Sequence, residues 1–468
     1  SKNPLVVMDD GDMELAVAHA LNGAYFGSGQ KCTASSRLIV HRKVHDEFVS
    51  KLKAKTEALV VGHALDEGTQ IGPVVDEKQL TQALDYVKLA EQWNPVKFDP
   101  NAWLDLLEQA GMKYLCLTTK HHDGFCLWDT RETTFNTMHT PYRRDIVRMV
   151  ADACRRRGVP LCLYYSIADW NHPHYPNQGR HHELPPQPGD QPDWDKYLEF
   201  LKAQVRELCT NYGEIHGFWW DMNVPKHVDR SINAMIRQLQ PKAVINNRGF
   251  DDGDFGTPER DYDTAAAEAA AFDRPTEACQ SVGMESWGYR KDEDYYTDRH
   301  LLRSIDRYLA RGANYLLNVG PTAEGVIPEP AADILRRIGK WYAAVKESLE
   351  GVEPCSHLTA NRNVLLTGRG RTLYVHLHKD PPGDAVKLRP IAAAPARAVL
   401  LNDGRPVEWS IEMAPSDHSE QRGYLRLRRL PVNEMSNTVP VVRLDFDRPL
   451  EELAAPKPDR PTSVEAQK

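Results

Sequence analysis

Three polar residues, His121, His122 and Asp123, follow the short apolar run Tyr114-Leu115-Cys116-Leu117. A lone carboxylate, Asp221, ends the aromatic stretch Gly217-Phe218-Trp219-Trp220. Short apolar runs of this kind read as strands buried on both faces, the kind a parallel sheet uses. A polar group at the C-terminal end of such a strand lies at a barrel mouth, where the βα loops converge over a packed core. Aromatic walls there can stack on sugar faces while carboxylates work at an anomeric carbon. Glycoside hydrolysis needs two carboxyl groups, so a second one must come from another loop. Glu259, Glu277 and Glu285 are the candidates. A strand-end Asp can equally serve as an exposed cap or turn residue.

The pair His121-His122 admits three roles: hydrogen bonding to sugar hydroxyls, metal ligation with Asp123, His172 or His174, or a structural role. Adjacent side chains on an extended segment point opposite ways, so both can hold one ion only if the backbone turns. The expectation is therefore no metal. Cys32, in GSGQKCTASSR, lies just past a helix and a Gly-containing turn, where a thiol can be activated as a nucleophile or remain inert.

The elements that position these groups alternate. From 93 to 351, strands are read at 114–117, 159–166, 215–220, 243–246, 277–282 and 315–319, with helices at 101–110, 143–157, 194–212, 228–239, 298–310 and 328–349. That succession points to an α/β chain with a (β/α) barrel or close variant. Ala265 to Ala271 reads as a low-complexity insertion in a loop. From 352 to 453, short β-rich runs at 363–366, 372–378, 397–401 and 424–427, with a hairpin turn at Asn402-Asp403-Gly404, read as a small β-sandwich. Residues 1–92 form a separate α/β unit with strands at 4–8 and 36–41 and helices at 9–26 and 44–60, and 454–468 is a Pro-rich, polar tail expected to be disordered.

The whole chain has 468 residues, a formal net charge of −8 and 41% hydrophobic residues. That charge gives no support to a nucleic-acid or anionic-membrane partner. No apolar run is long enough to span a membrane. The start, SKNPLVVMDDGDMEL, lacks the basic and apolar regions of a signal peptide, which points to the cytoplasm unless a longer precursor is secreted. None of the eight cysteines forms a CxxC pair, so buried free thiols are expected.

Two stretches resemble known families. KNPLVVMDD, ALNGAYFGSGQKCTASSRLIVH and IGPVVDEKQL resemble the catalytic domain of aldehyde dehydrogenases, and the resemblance places Cys32 at the catalytic thiol. The family's cofactor domain, its general-base glutamate and its Glu-Phe cofactor motif have no counterpart. A thiol without a nicotinamide site does no hydride chemistry. This piece is expected to be the remainder of a fusion, with no cofactor, packed on the barrel.

The region from about 93 to 450 resembles the α-L-fucosidases of glycoside hydrolase family 29. The matching stretches include KHHDGFCLWDT, RRDIV, GVPLCLYYSIADWNHPHYP, YGEIHGFWWD, INNRG, GDFGTPE, SWGY and LLNVGPTAEGVIP, in that order. The resemblance implies a retaining exo-α-L-fucosidase acting on fucosylated oligosaccharides or glycosides, with room for transfucosylation and for a homo-oligomer. It places the nucleophile on Asp221 and the acid/base on Glu259, with Glu277 the alternative. His121, His122, Tyr164 or Tyr165, Arg248 and Trp287 match positions lining the fucose pocket. The family's His-Trp-Gly strand and a following Glu-Trp pair are not found. The barrel is therefore expected to have an incomplete N-terminal part, either filled by the strand at 4–8 or left open or swapped with a damaged pocket. The alternative function is an inactive or weakly active fucose-binding remnant.

Overall fold

The computed structural model describes residues 3–25, 35–60, 92–176, 190–221, 228–260, 271–379, 381–413 and 423–453. Cys32, the run 265–270 and the tail 454–468 lie outside the described residues. The chain divides into two compact units, Ser1–Glu91 with His172–Trp194 and Gln92–Asn171 with Asp195–Lys468.

The first unit carries β1 (Asn3–Val7), α1 (Met13–Tyr25), β2 (Ser35–Val40) and α2 (His45–Glu57). β1 and β2 pair in parallel, as a strand–helix–strand crossover requires. Val7, Val17, Ala20 and Phe48 form its small core.

The second unit begins with α3 (Pro100–Gln109), whose N-terminus is set by Asp99 accepting from the Asn101 N–H and by Pro100 in the first turn. Then come β3 (Leu115–Lys120), α4 (Ile146–Arg157), β4 (Leu161–Ser166), α5 (Trp194–Asn211), β5 (Gly217–Asp221) and α6 (Ser231–Leu239). β6 (Val244–Ile245), β7 (Glu277–Ser281), α7 (Asp298–Leu309), β8 (Asn314–Asn318) and α8 (Glu329–Val345) follow. Helix α4 starts later than the residue pattern suggests, because Asp145 turns back to accept the Arg148 N–H at 2.7 Å and so acts as the cap.

β3, β4, β5 and β6 form one parallel sheet, and β7 pairs in parallel with β8. Single parallel bridges Asn246–Phe255, Gly256–Thr276 and Glu259–Cys279 carry the pairing from β6 to β7. The stretch 255–259 thus does the work of a strand, and it delivers Glu259 to the same end as Asp221. β3 and β8 are the outer strands of this arc, and among the described residues no strand pairs with either outer side. At the mouth, the entering chain crosses between the loops that follow them. Trp93 Nε1 donates to the Ala323 carbonyl at 2.8 Å, and its ring packs edge-on against Phe125. Lys97 pairs with Glu324 at 2.7 Å.

The C-terminal part is a two-sheet sandwich, as the residue pattern suggests. β9 (Glu353–Pro354), β10 (Leu365–Arg369), β11 (Thr372–His376), β13 (Arg397–Leu400) and β16 (Val441–Asp445) form the five-stranded sheet. β12 (Val386–Leu388), β14 (Glu408–Met413) and β15 (Gly423–Arg428) form the other. Leu366, Val375 and Val442 meet Leu388, Leu425 and Leu427 in one core between the sheets. The turn at Asn402-Asp403-Gly404 closes with the Gly404 N–H donating to the Leu400 carbonyl at 2.8 Å, with Gly404 at φ +79°.

Sandwich and helices share a second core: Tyr374, Val439 and Val441 lie among Leu301, Ile305, Ile334, Leu335 and Trp341. A polar bond is sealed in the same junction. His376 Nδ1 meets Asp306 Oδ1 at 2.7 Å, and both side chains are fully buried. Thr367 spends its hydroxyl hydrogen on the Ser348 carbonyl, so His376 Nε2 donates to Thr367 Oγ1 at 2.9 Å. Removing one partner strands the other away from water. Asp306→Ala should cost about 2–4 kcal/mol, read as a shift in the urea midpoint. A change below a few tenths would mean the junction relaxes around the loss.

Candidate active site

Period-2 alternation decides which side chains reach the site. On β5, Asp221 shares a face with Trp219, and β4 pairs Tyr164 with Trp219 and Ser166 with Asp221. The rings of His121, Tyr164 and Trp219 stack in a row, at 5.7 Å and 6° for the first pair and 5.6 Å and 16° for the second. The Arg248 guanidinium continues it, 4.8 Å from the Trp219 ring. Trp219 was not among the sequence candidates, although its spacing of two from Asp221 carried the signal.

Tyr165 points to the other face. It is fully buried and donates to Gln204 Oε1 at 2.6 Å, so of the two candidate tyrosines only Tyr164 lines the site. Tyr164 donates to Asp221 Oδ2 at 2.5 Å. Burial and the adjacent Asp221 carboxylate hold the Tyr164 phenol protonated, well above its ordinary range.

Strand β3 departs from regular pairing. Its register slips between Thr118 and Lys120, so Lys120 lies opposite Tyr165. The Lys120 ammonium is fully buried, 2.9 Å from Asp169 Oδ2 and 4.4 Å from the Tyr165 ring centre. Burial is the largest influence and works against that charge, and Asp169 together with Tyr197 and Cys126 tips the balance, so the ammonium is held above its ordinary value. Just beyond, the backbone turns: the Gly124 N–H donates to the His121 carbonyl at 3.1 Å. Gly124 has φ +82°, and a Cβ there would lie 2.2 Å from Asp169 Oδ1, so only glycine fits. This turn overrides the divergence expected of neighbouring histidines. The His121 and His122 rings lie 4.0 Å apart. His122 Nδ1 is 2.6 Å from Ser166 Oγ, and its Nε2 is 3.8 Å from Asp221 Oδ2.

Arg248 joins the two leading carboxylates. Its Nη1 lies 3.3 Å from Asp221 Oδ1 and 2.9 Å from Glu259 Oε2. Thr257 fixes the guanidinium, accepting from Nε at 2.8 Å and through its carbonyl from Nη2 at 3.1 Å. Asp221 is 19% exposed and Glu259 40%, so the first is held and the second reaches solvent. Trp287 is half-buried on the loop after β7, with the Arg260 guanidinium 5.1 Å from its ring.

The other candidate acids lie elsewhere. Glu277 sits at the N-terminal end of β7, away from the mouth, and it is buried. Tyr114 donates to one of its oxygens and Trp219 Nε1 to the other, the latter at 2.9 Å. Burial pushes the Glu277 carboxyl above its ordinary value, and the two donors oppose that rise. Glu285 is exposed and 3.6 Å from Arg290. Of the carboxylates that could share an ion with the two histidines, Asp221 rather than Asp123 groups with them among the described residues, the donor atoms all within 4.8 Å.

The model of the α-L-fucosidase family matches residues 66–347, a start upstream of Trp93, and that of the aldehyde dehydrogenase family matches residues 1–95. Tissue α-L-fucosidase of Bos taurus is 26% identical over 324 residues, spanning 67% of this chain and 68% of the bovine one. In structure, α-L-fucosidase isoenzyme 1 from Paenibacillus thiaminolyticus is similar at a TM-score of 0.67 and 32% identity, over 80% of this chain and 91% of that one. A Bacteroides thetaiotaomicron α-L-fucosidase, solved as a trapped covalent intermediate with 2-fluoro-fucosyl fluoride, shares the fold at a TM-score of 0.64 and 24% identity, over 83% of this chain and 93% of that one. On the extent of the family match and the likeness to the Paenibacillus enzyme, this chain belongs to the α-L-fucosidase family of glycoside hydrolases.

Proposed function

We propose that the chain is a retaining exo-α-L-fucosidase in which Asp221 is the nucleophile and Glu259 the acid/base. The observation that carries this reading is the single Arg248 nitrogen touching both carboxylates, at 3.3 and 2.9 Å. Those contacts bring one oxygen of each carboxylate to a shared nitrogen, an arrangement compatible with the about 5–5.5 Å separation of retaining pairs. The trapped intermediate of the Bacteroides relative belongs to the same kind of mechanism.

In the first step, an Asp221 oxygen bonds the anomeric carbon as the glycosidic bond breaks, and Glu259 gives its proton to the leaving oxygen. In the second, Glu259 takes a proton from water, whose oxygen displaces Asp221; a sugar hydroxyl in place of water gives transfer. Tyr164 and Arg248 orient Asp221 through separate oxygens. To act as the acid, Glu259 must leave Arg248, and its exposed position gives it space to do so.

Among the described residues no strand pairs with the outer side of β3 or β8, which favours a second reading, a fucose-binding remnant without turnover. Release of nitrophenol from the aryl α-L-fucoside separates the two, since binding without release supports the remnant.

Incubation with 2-fluoro-fucosyl fluoride should add one fluorofucosyl group, found by mass spectrometry on the peptide containing Asp221; a label elsewhere overturns the nucleophile. Asp221→Asn should lower kcat by about three orders of magnitude or more. Glu259→Gln should lose far more rate on substrates with poor leaving groups than on activated aryl fucosides. Equal losses on both would remove Glu259 from the acid role.

Glu277 is assigned a structural role, which its pH behaviour tests. Its folded-state pKa lies above the ordinary 4.5, so its contribution to stability is full below that value and is lost as pH rises through the raised one. Glu277→Gln should therefore gain on the wild type in urea midpoint from about pH 4.5 upward. Parallel curves would show that burial of this carboxyl carries no such cost.

A further inference from the structure

The turn that gathers the two histidines also assembles a donor set for a metal ion. We propose that His121, His122 and Asp221 form an inhibitory site for a divalent transition-metal ion of the Zn²⁺ class, which occupies the nucleophile and excludes the sugar. The inhibitory part rests on the reading of Asp221 as nucleophile; the binding part does not.

The donor atoms of the three side chains lie within 4.8 Å of one another. Bonds of about 2.0–2.2 Å to imidazole nitrogen and carboxylate oxygen require the donors to draw in by roughly an ångström. His121 is exposed at the mouth and has the freedom to supply that movement. His122 is already held in the form a ligand needs. Ser166 Oγ donates its only hydrogen to the Ala168 carbonyl at 2.7 Å, so in the 2.6 Å contact His122 Nδ1 is the donor. In the neutral ring the lone pair is then on Nε2, the atom that faces Asp221 at 3.8 Å. Metal-bound histidines are oriented by the same kind of bond at the second nitrogen, and bound carboxylates are hydrogen-bonded in turn. Asp221 has that bond from Tyr164.

Two imidazoles and one carboxylate suit Zn²⁺ or Cu²⁺ over Mg²⁺ or Ca²⁺. Three protein ligands leave a fourth position for water, as in open zinc sites. The Arg248 guanidinium, 3.3 Å from the other Asp221 oxygen, repels the ion. Binding is therefore weak and reversible, not that of a structural zinc.

The test uses the full chain. Added Co²⁺ should give the visible absorption of a tetrahedral nitrogen–oxygen site, and L-fucose or Zn²⁺ should abolish it. Zn²⁺ should inhibit aryl fucoside hydrolysis competitively, with EDTA restoring the rate. His121→Asn should remove the Co²⁺ band and raise the Zn²⁺ inhibition constant about ten-fold or more, with an unchanged circular dichroism spectrum. Asp221→Asn should also lose the band. A wild type without the band overturns the proposal. So does a band or inhibition that survives in His121→Asn, since the ion would then lie elsewhere, for instance on a thiol. A chain without turnover would still show or lack the Co²⁺ band, so failure of the fucosidase reading is distinguishable.

Discussion

The ion pair between Lys120 and Asp169 sits where the ends of β3 and β4 meet, and the mouth of the barrel is built on it. Both charges are out of water, so each needs the other; removing one alone would leave an uncompensated buried charge. Asp169 also fills the space that a side chain at position 124 would need. That forces glycine at 124 and lets the backbone reverse immediately after His122. The ion pair contributes little net stability of its own, because desolvation offsets most of the attraction. What it supplies is position: two consecutive histidines after β3 aimed at one carboxylate at the end of β5, two strands away.

A second fixed charge, Arg248, organises the opposite wall. It lies on the Trp219 ring and is clamped by Thr257, so its direction does not depend on the carboxylates it touches. A guanidinium with that support can hold Asp221 still while the more exposed Glu259 moves. The site thus combines a rigid half on β3, β4 and β5 with a half carried by the irregular stretch 255–259.

Much of this was legible in the residues. The apolar runs ending in His121, Ser166 and Asp221 marked the strands, and the order of motifs marked the family. The alternation of side chains could have chosen Tyr164 over Tyr165 and found Trp219. The slip in register at β3 could not be read, because it depends on Lys120 finding Asp169, a partner 49 positions away. For the same reason the histidines were expected to diverge. Glu277 is a candidate acid by its place near the SWGY segment, although a strand read from 277 already puts it at the N-terminal end; what the fold adds is that both its oxygens are taken. In the sandwich, β9, β12, β14 and β16 went unread: β9 and β12 are very short, β14 mixes exposed charge with apolar residues, and β16 is defined by pairing with β11 and β13, far back in the chain.

The shared core between sandwich and helices bears on how such chains are assembled in evolution. Tyr374, Val439 and Val441 are as much part of the helical layer as Trp341 is, and His376 reaches into it to meet Asp306 on α7. That helix follows the loop bearing Trp287. The sandwich is therefore no detachable module that recombination could swap for another binding domain at a linker. A crossover near residue 352 would expose one hydrophobic interior twice, once on each product. Exchange of the catalytic region between genes is expected to carry the sandwich with it, as one inherited block.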